Sequence, residues 1–583
     1  MRTLRFTRKL LTPPQKRQAI GIILLSIITS FTEVLGLATL VPVVMVCAEP
    51  GGVVKHKYFR VLYETLHFQS ERSFIVALLV AIVVFFILKS LFAIWVNYVQ
   101  ARFTSQIGRD VIESQLYKHM GLNFWRLNDL GSGKLINSSI NMPNGYLHSL
   151  LRQLVAMASE MIIALTILIG LLAYNPQLVV ILAVVLVPPM ILTYRFTRHK
   201  VQQMQSRISA LWPISLGYIG DLFAGFIELK LARRQQNYIE GVLRNQGEAY
   251  SLDAVNTVYT QIPQKVIELT AILGVVVILL YSVLVNGVSA SMIGLVGAFA
   301  VAAYRLMPSM NRILSSIVTI KANQYILDDI ESYRDAESQE PVYKPQQPLE
   351  FKRALELQDM TFSFPGSSQP ALSHLSLRIA KGEKVGFIGT SGSGKTTLMN
   401  ILLRFYIEEK GCILVDGVPL GPQNIDSWHR MVGYIKQDTF LMQASIRDNI
   451  TLGEQNPDEE RLAYAVEQAS LSGVVQNLEE GLDTFIGERG SKLSGGQRQR
   501  IGIARALYKR AEVLIMDEAT SALDNETERE VNEAISKLSQ TNITILIVAH
   551  RLTTLRECDR VYELSHGELI AEHQYEALLE RIR

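Results

Sequence analysis

The chain has 583 residues, a net charge of +3, and 49% hydrophobic but only 19% charged residues. This length leaves room for more than one domain, and a net charge this small argues against nucleic acid as a partner. The cysteines Cys47, Cys412 and Cys558 are far apart in the sequence, so they predict neither a disulfide framework nor a metal site.

The hydrophobic residues are concentrated in the first 330 residues, where they form long apolar runs. Each run is close to the roughly 20 residues that span about 30 Å of hydrocarbon. Buried core helices of a soluble domain are the alternative, but runs this long and this poor in charge are typical of bilayers. The six predicted spans are residues 17–47, 74–97, 154–174, 178–194, 262–285 and 292–314.

The orientation of these spans follows from the basic residues at the N-terminus. Residues 1–17 contain arginines and lysines but no acid, which predicts that this end stays in the cytoplasm. Residues 100–153 and 195–261 then face the cytoplasm, and their helical periodicity predicts helices that run beyond the membrane. We expect short crossings within these segments, near residues 124–131 and 211–223.

Charged residues inside the predicted spans should face a cavity, a partner or water, because placing them in hydrocarbon costs a few kcal/mol each. Lys89 and Arg305 are predicted to hold an anionic head group, such as a pyrophosphate, on the inner face of a translocation path. The alternative for each residue is snorkelling to the interface or pairing with an acid of the bundle. That alternative is favoured for Lys265 and Arg312, which lie nearer a span end.

After the last span, the polar and proline-containing residues 331–350 predict a linker, which leaves residues 351–583 as a second domain. Residues 389–396 of this domain match the phosphate-binding pattern GxxxxGK[ST] and follow the strand-like residues 384–388. A glycine turn before a helix directs free backbone N–H groups and a helix dipole at a polyphosphate. Lys395 would reach the β- and γ-phosphates, and Thr396 would ligate Mg²⁺. The predicted phosphate contacts are Gly389, Thr390, Ser391, Gly392, Ser393, Gly394, Lys395, Thr396 and Thr397.

Two further strands of the second domain predict the catalytic groups. The apolar residues 513–516 end at Asp517 and Glu518, where the carboxyl end of a parallel strand faces a ligand crevice. Asp517 suits the Mg²⁺ shell, and Glu518 suits the general base that polarises the attacking water. Residues 544–548 form another strand, and His550 after it is placed to bind a γ-phosphate or the water.

Leu493-Ser494-Gly495-Gly496-Gln497 is the signature of ATP-binding cassette proteins, and residues 351–583 resemble one complete cassette. By this resemblance Phe364 would stack on adenine, where many relatives have Tyr, and Gln437 would contact Mg²⁺ and the water. The signature, Ser494 to Gln497, would cap the γ-phosphate held by a second cassette. Because the chain has one cassette, the resemblance implies a dimer with a second copy of this chain, which closes on ATP and Mg²⁺.

Six spans followed by a cassette resemble the half-transporters of the exporter type, an all-α transmembrane domain (residues 1–330) joined to an α/β P-loop ATPase domain. Residues 30–42 and 303–313 also resemble the corresponding spans of bacterial lipid-linked oligosaccharide flippases. This second resemblance implies a multi-pass protein of the bacterial inner membrane, with a cytoplasmic ATPase domain, that moves a lipid-linked glycan to the outer leaflet.

Other functions stay open at this point. A general exporter of drugs, lipids or peptides would carry the same cassette residues. An ATP-gated regulator or channel would hydrolyse ATP without pumping. A soluble cassette ATPase is excluded by the six predicted spans.

Overall fold

The computed structural model describes the backbone of residues 2–48, 53, 57–68, 70–174, 176–281, 290–332, 348–517, 525–539, 542–549 and 551–582. The chain divides into two compact units. The first unit comprises Met1–Gly121 and Leu130–Glu337, and the second comprises Leu122–Asp129 and Ser338–Arg583. The predicted linker, residues 331–350, lies mostly outside the described residues, so its boundaries stay a prediction.

The described part of the first unit is helical. Its α-helices are Arg2–Leu10, Pro13–Ala48, Lys57–Thr65, Glu71–Met120, Arg152–Tyr174, Pro176–Ala224, Phe226–Leu231, Gln235–Tyr281, Ala290–Ala322 and Tyr325–Ser332. Between the second long helix and Arg152 the chain forms Phe124–Ile136, Asn137–Asn141, Met142–Gly145 and Tyr146–Leu151, of which Asn137–Asn141 and Tyr146–Leu151 are π-helical. Glu71–Met120 has 50 residues, hence a length of about 75 Å, so it extends well beyond a hydrocarbon layer of about 30 Å.

Four helical stretches in the described part of the chain are long and apolar enough to cross a membrane. These are Glu71–Met120, Gly133–Leu172, Val179–Ala224 and Gln235–Val277. They contain the second predicted span in full, and the third, fourth and fifth apart from residues 173–174, 178 and 278–285. The first and sixth predicted spans lie in Pro13–Ala48 and Ala290–Ala322, some of whose side chains lie outside the described residues. A total of six spans therefore stays a prediction.

The structure agrees with one of the two predicted short crossings and contradicts the other. Residues 124–131 do start a short helix, Phe124–Ile136, which is interrupted at Gly131 with φ 70° and ψ 154°. The second prediction is wrong, because residues 211–223 lie within the 49-residue helix Pro176–Ala224. Gly225 ends that helix, and the short helix is Phe226–Leu231. The apolar periodicity of residues 211–223 continues that of the long helix, so it could not mark the turn.

The second unit is built on two sheets. Its strands are β1 Ala354–Phe362, β2 Leu372–Ala380, β3 Lys384–Ile388, β4 Lys410–Val415, β5 Val418–Pro419, β6 Val432–Lys436, β7 Val513–Asp517, β8 Thr544–Val548, β9 Arg560–Ser565 and β10 Glu568–His573. The larger sheet has the order β10-β9-β3-β8-β7-β6, and the smaller sheet has the order β2-β1-β4-β5. Strands β9, β3, β8, β7 and β6 are mutually parallel, and every residue of β7 and β8 is buried. Such strands read as continuous apolar runs in the sequence.

Helices surround these sheets and close two hydrophobic cores. The α-helices of the second unit, besides the first part of Phe124–Ile136, are Lys395–Leu402, Ile425–Met431, Ile446–Thr451, Glu459–Gln468, Ser472–Gln476, Gly495–Tyr508, Asn525–Ser539 and Tyr575–Ile582. The short 3₁₀ turns are Gly481–Asp483, Glu488–Gly490 and Leu552–Leu555. One core contains Leu398, Leu402 and the fully buried Trp428, so it fixes the helix Lys395–Leu402 against the sheets. The other core fixes the helix Gly495–Tyr508.

Candidate functional site

The sheet order brings the predicted nucleotide residues to one edge. Strands β3, β8, β7 and β6 are neighbours and parallel, so their carboxyl ends lie side by side. Gly389 follows β3, Asp517 is the last residue of β7, and Gln437 follows β6. The carboxyl edge of such a sheet is where α/β proteins bind their ligands. His550 follows β8, but it lies outside the described residues.

The phosphate-binding loop requires glycine at two positions where its backbone approaches neighbouring groups. Gly389 has φ 149°, and a Cβ there would lie 2.2 Å from the Leu564 carbonyl oxygen. Gly394 has φ 101°, and a Cβ there would lie 2.6 Å from Leu372 Cδ2. A side chain would therefore displace the loop at either glycine. Gly392, at φ 80°, has open space around it.

Lys395 is the buried basic residue of this loop. It is 5% exposed, and its Nζ donates hydrogen bonds of 2.9 Å to the carbonyl oxygens of both Gly389 and Thr390. These bonds hold the ammonium group inside the loop, where it can meet a phosphate. The other predicted phosphate contacts differ in exposure: Ser393 is buried, Thr397 is half-buried, and Ser391, Gly392 and Thr396 are exposed.

Asp517 supplies the carboxylate of the site from a buried position. It is 6% exposed, and Tyr434 donates its hydroxyl to Asp517 Oδ2 at 3.5 Å. Burial and the neighbouring Asp517 carboxylate raise the pKa of Tyr434 well above its ordinary value, so the phenol stays protonated and remains a donor.

The donor set at this edge fits Mg²⁺. Asp517 offers a carboxylate, the exposed Thr396 offers a hydroxyl, and the exposed Gln437 offers an amide oxygen. Mg²⁺ prefers such oxygen ligands, and it is commonly held by only one or two carboxylates together with substrate phosphates. The predicted general base Glu518 lies outside the described residues.

Phe364, the predicted adenine contact, has an accessible ring. It is 39% exposed and packs edge-on against two aromatic rings, with centroid distances of 5.2 Å to Phe362 and 5.6 Å to Tyr406. The exposed part of this ring is available for stacking.

The signature residues form the N-terminus of the helix Gly495–Tyr508. Ser494 is its N-cap. The backbone N–H of Gln497 donates to Ser494 Oγ at 3.2 Å, and the backbone N–H of Ser494 donates to the side-chain Oε1 of Gln497 at 2.9 Å. This capping box satisfies two backbone donors and fixes the start of the helix. Ser494 is exposed, Gly495 is half-buried and Gly496 is buried. The dipole of this 14-residue helix favours an anion at its N-terminus.

The first unit contains a polar cavity of about 200 Å³ that is lined by charged residues from different helices. Arg305 pairs with Glu33, and Arg312 donates to Glu160 Oε1 at 2.7 Å. Ser309 donates to Glu160 Oε2, also at 2.7 Å. The remaining lining includes the polar residues Ser26, Thr29, Asn97, Gln100 and Ser159.

The structure does not bring Lys89 and Arg305 into the same cavity lining. Lys89 is half-buried, with its Nζ 5.3 Å from the centre of the Phe86 ring, and it is not among the described residues that line this cavity. Arg305 does line the cavity, and its Nε is buried without a hydrogen-bond partner in the described part of the chain. Lys265, by contrast, is exposed and pairs with Glu268 at 3.0 Å, as the alternative of local pairing predicts.

Sequence reasoning did not assign Tyr434, Tyr406 or Glu160 to a site. Tyr434 is the half-buried residue between the buried Gly433 and Ile435 of β6. This pattern indicates a strand but does not indicate a function for Tyr434. Glu160 lies inside the third predicted span, but its pairing with Ser309 and Arg312 depends on helix packing. No sequence signal marks Tyr406.

Comparison with known proteins agrees with this geometry. Residues 372–521 match the family described as ABC transporter. Among solved structures, the chain resembles a bacterial Atm1-family ABC exporter with ATP bound, at a TM-score of 0.80 and 22% identity, over 97% of each chain. At this identity the likeness shows the fold.

Curated relatives match over a shorter segment. A lipid A-core flippase of Syntrophus aciditrophicus is 44% identical over 227 residues, which are 39% of this chain and 37% of that protein. A beta-(1→2) glucan export ATP-binding/permease protein of Rhizobium johnstonii is 44% identical over 227 residues, 39% of this chain and 38% of that protein. The matches thus span about two-fifths of the length of these relatives. Residues 372–521 form an ABC transporter domain, which implies ATP as its nucleotide, and the chain has the fold of an exporter-type ABC half-transporter.

Proposed function

We propose that this protein is an ATP-driven membrane translocase that flips a lipid-linked oligosaccharide, or a related anionic glycolipid, from the cytoplasmic to the outer leaflet. The observation that carries the proposal is the combination of a phosphate-binding loop with an exporter fold in one chain. The first unit adds long apolar helices and a charged cavity, which a translocase needs and a soluble ATPase does not.

ATP binds to the edge formed by β3, β8, β7 and β6. The loop amides and Lys395 hold the phosphates, and Phe364 stacks on adenine. Thr396, Gln437 and Asp517 hold Mg²⁺, which when bound neutralises charge on the phosphates. Glu518 accepts a proton from the attacking water, and His550 orients that water or the γ-phosphate.

The working unit is a dimer of two identical chains. The fixed N-terminus of Gly495–Tyr508, with Ser494 as its cap, offers a helix dipole to an anion outside its own loop. In the dimer this end caps the γ-phosphate bound by the partner subunit, so ATP joins the two cassettes. Hydrolysis separates them, and the spans alternate between inward-open and outward-open states.

The cavity in the first unit supports an anionic substrate with a polar head group. Arg305 retains a buried Nε donor, even though its other end pairs with Glu33. An anion binding to Arg305 must compete with Glu33, which makes binding sensitive to both residues. Hydroxyl and amide side chains in the lining match the donors and acceptors of a glycan. Lys89 lies outside this lining, and its proposed contact with the head group rests on its charge inside a predicted span.

The names of the relatives support this substrate class and location. One is a lipid A-core flippase and the other exports a glucan, and both are bacterial proteins. A multi-pass protein of the bacterial inner membrane, with its ATPase domain in the cytoplasm, agrees with the apolar helices and the exporter fold.

The substrate assignment is tested by the ATPase activity of the reconstituted protein. A polyprenyl-pyrophosphate-linked glycan should stimulate hydrolysis, and the double variant Lys89→Gln with Arg305→Gln should lose this stimulation while keeping basal hydrolysis. Lys265→Gln is the matched control, because it also removes a positive charge from the first unit but is exposed and paired with Glu268. Unchanged stimulation in the double variant refutes the assigned roles.

The alternatives give other results. A general exporter of drugs, lipids or peptides responds to hydrophobic compounds and not to lipid-linked sugars. An ATP-gated regulator or channel gives nucleotide-dependent conductance without ATP-driven lipid movement.

A further inference from the structure

An aromatic cluster in the second unit connects Phe364 with the segment Leu122–Asp129. The chain places this segment between the long helices of the first unit, yet it belongs to the second unit by its contacts. Phe124 stacks on Phe405 at a centroid distance of 4.9 Å and an interplanar angle of 20°. Phe124 also contacts Tyr406 at 6.0 Å. The segment is therefore held by two consecutive aromatic residues.

Tyr406 is the central ring of this cluster. It stacks on Phe362 at 5.2 Å with an interplanar angle of 14°, and it meets Phe364 edge-on at 5.6 Å and 85°. Phe124 contacts Tyr406 as well, so one ring touches both the predicted adenine contact and the segment Leu122–Asp129. Because these rings are in direct contact, a shift of one ring changes the packing of the rings that touch it.

The backbone that carries Phe405 and Tyr406 is also fixed to the phosphate-binding loop. Both residues lie directly after the helix Lys395–Leu402, and their amides donate to the Asn400 carbonyl oxygen at 2.9 and 3.2 Å. Arg404, just before them, is in the left-handed region at φ 61°, which ends the helix in the manner of a C-terminal cap.

The side chain of Arg404 stabilises this unusual turn. It is 7% exposed and pairs with Glu408, so the turn cannot relax without exposing a buried ion pair. Two side chains of Ile425–Met431 reinforce the end of the helix, with Trp428 donating to the Leu402 carbonyl oxygen at 2.8 Å and His429 contacting that of Leu403 at 2.9 Å.

We propose that Tyr406 is a positioning residue that transmits occupancy of the nucleotide site, from Phe364 and the helix Lys395–Leu402, to the segment Leu122–Asp129. Adenine stacking on Phe364 restricts the Phe364 ring, Tyr406 is held between Phe364 and Phe362, and Phe124 is held in turn. The inference rests on the proposed function in one respect, namely that ATP binds at this site. It adds an aromatic route by which nucleotide binding reaches the segment between the long helices.

Hydrogen exchange of the full chain in lipid nanodiscs tests this route. Exchange is measured with Mg²⁺, with and without a non-hydrolysable ATP analogue, for peptides covering residues 389–396 and 122–129. In the wild-type protein the nucleotide should slow exchange in both peptides, by about threefold or more. Tyr406→Ala should keep the protection of 389–396 and lose that of 122–129, whereas Tyr406→Phe should restore it, because stacking needs the ring and not the hydroxyl.

Tyr464→Ala is the matched control. Tyr464 is a 47% exposed tyrosine of the same unit, in the helix Glu459–Gln468, and its loss should leave both responses unchanged. Protection of 122–129 that persists in Tyr406→Ala, or that is absent from a wild-type protein with a protected 389–396, overturns the inference. If 389–396 is not protected in the wild type, ATP binding itself fails, and the proposed function is overturned together with this inference.

Discussion

Two glycines of the phosphate-binding loop should respond very differently to the same added methyl group. Gly389 and Gly392 both have positive φ, at 149° and 80°, so alanine is strained at either position. Their surroundings differ: a Cβ on Gly389 would lie 2.2 Å from the Leu564 carbonyl oxygen, whereas a Cβ on Gly392 meets nothing within 4 Å. Comparing the two alanine variants therefore separates the effect of backbone strain from the effect of a clash that displaces the loop.

The magnitudes follow from this difference. At Gly392 only the conformational cost of about 1–2 kcal/mol applies, since the left-handed region is disfavoured by that amount for residues with a Cβ. Without ATP, the loop of the Gly392→Ala variant can relax to an unstrained conformation, and ATP binding must then restore the strained one. Gly392→Ala should therefore weaken ATP binding by about 5- to 30-fold. Gly389→Ala adds a clash with a backbone atom that cannot rotate away. The loop must move, and we expect ATP binding to fall by about 1,000-fold or more.

Equilibrium binding of a fluorescent ATP analogue to each purified variant measures these effects. Thermal unfolding of the same samples shows whether either variant is globally damaged, because a loss of binding is informative only where the folded state is retained. Equal losses for the two variants, or binding of Gly389→Ala within about tenfold of the wild type, would refute the role assigned to this backbone contact.

Substitutions at three further residues test other parts of the protein. Asp517→Asn should keep ATP binding but lower phosphate release by about 100-fold or more, because a charged Mg²⁺ ligand is replaced by a neutral one; near-normal phosphate release at the same Mg²⁺ concentration would contradict this. Ser494→Ala should destabilise the helix Gly495–Tyr508 by about 0.5–2 kcal/mol and Ser494→Gly by only a few tenths, as measured by denaturant unfolding. Ser494→Gly should nevertheless lose hydrolysis, and full activity would show that its hydroxyl makes no ATP contact. Glu33→Gln should release Arg305 from its ion pair and lower the glycolipid concentration that half-stimulates hydrolysis; an increased concentration would instead indicate that Glu33 itself binds substrate.

The sheet edge that holds the predicted nucleotide residues could be anticipated from the sequence, because each of its signals lies within a few consecutive residues. β3, β7 and β8 appear as short apolar runs, and each ends at a residue type with a defined chemistry, such as Gly389 or Asp517. Once parallel strands are assumed, their carboxyl ends must lie at one edge. In the structure β3, β8, β7 and β6 are neighbours in one sheet, so their carboxyl ends do lie at one edge.

Features that depend on packing between distant segments could not be predicted in this way. Glu33 and Arg305 lie inside the first and sixth predicted spans, but their pairing depends on how separate helices pack. The sequence predicts the second short crossing before its actual place, because apolar periodicity continues up to Gly225. The contact of Phe124 with Phe405 and Tyr406 likewise joins residues that no local pattern connects.

The central claim is that ATP hydrolysis by this chain moves a glycolipid across a bilayer. The most direct measurement reconstitutes the protein in vesicles that contain a fluorescent polyprenyl-pyrophosphate-linked glycan, and follows how much of the label changes leaflet. The account predicts movement with ATP and Mg²⁺, and none without ATP or with Glu518→Gln, which should still bind ATP. Label that moves equally well without ATP, or that stays in its leaflet while the wild-type protein hydrolyses ATP, would contradict the account.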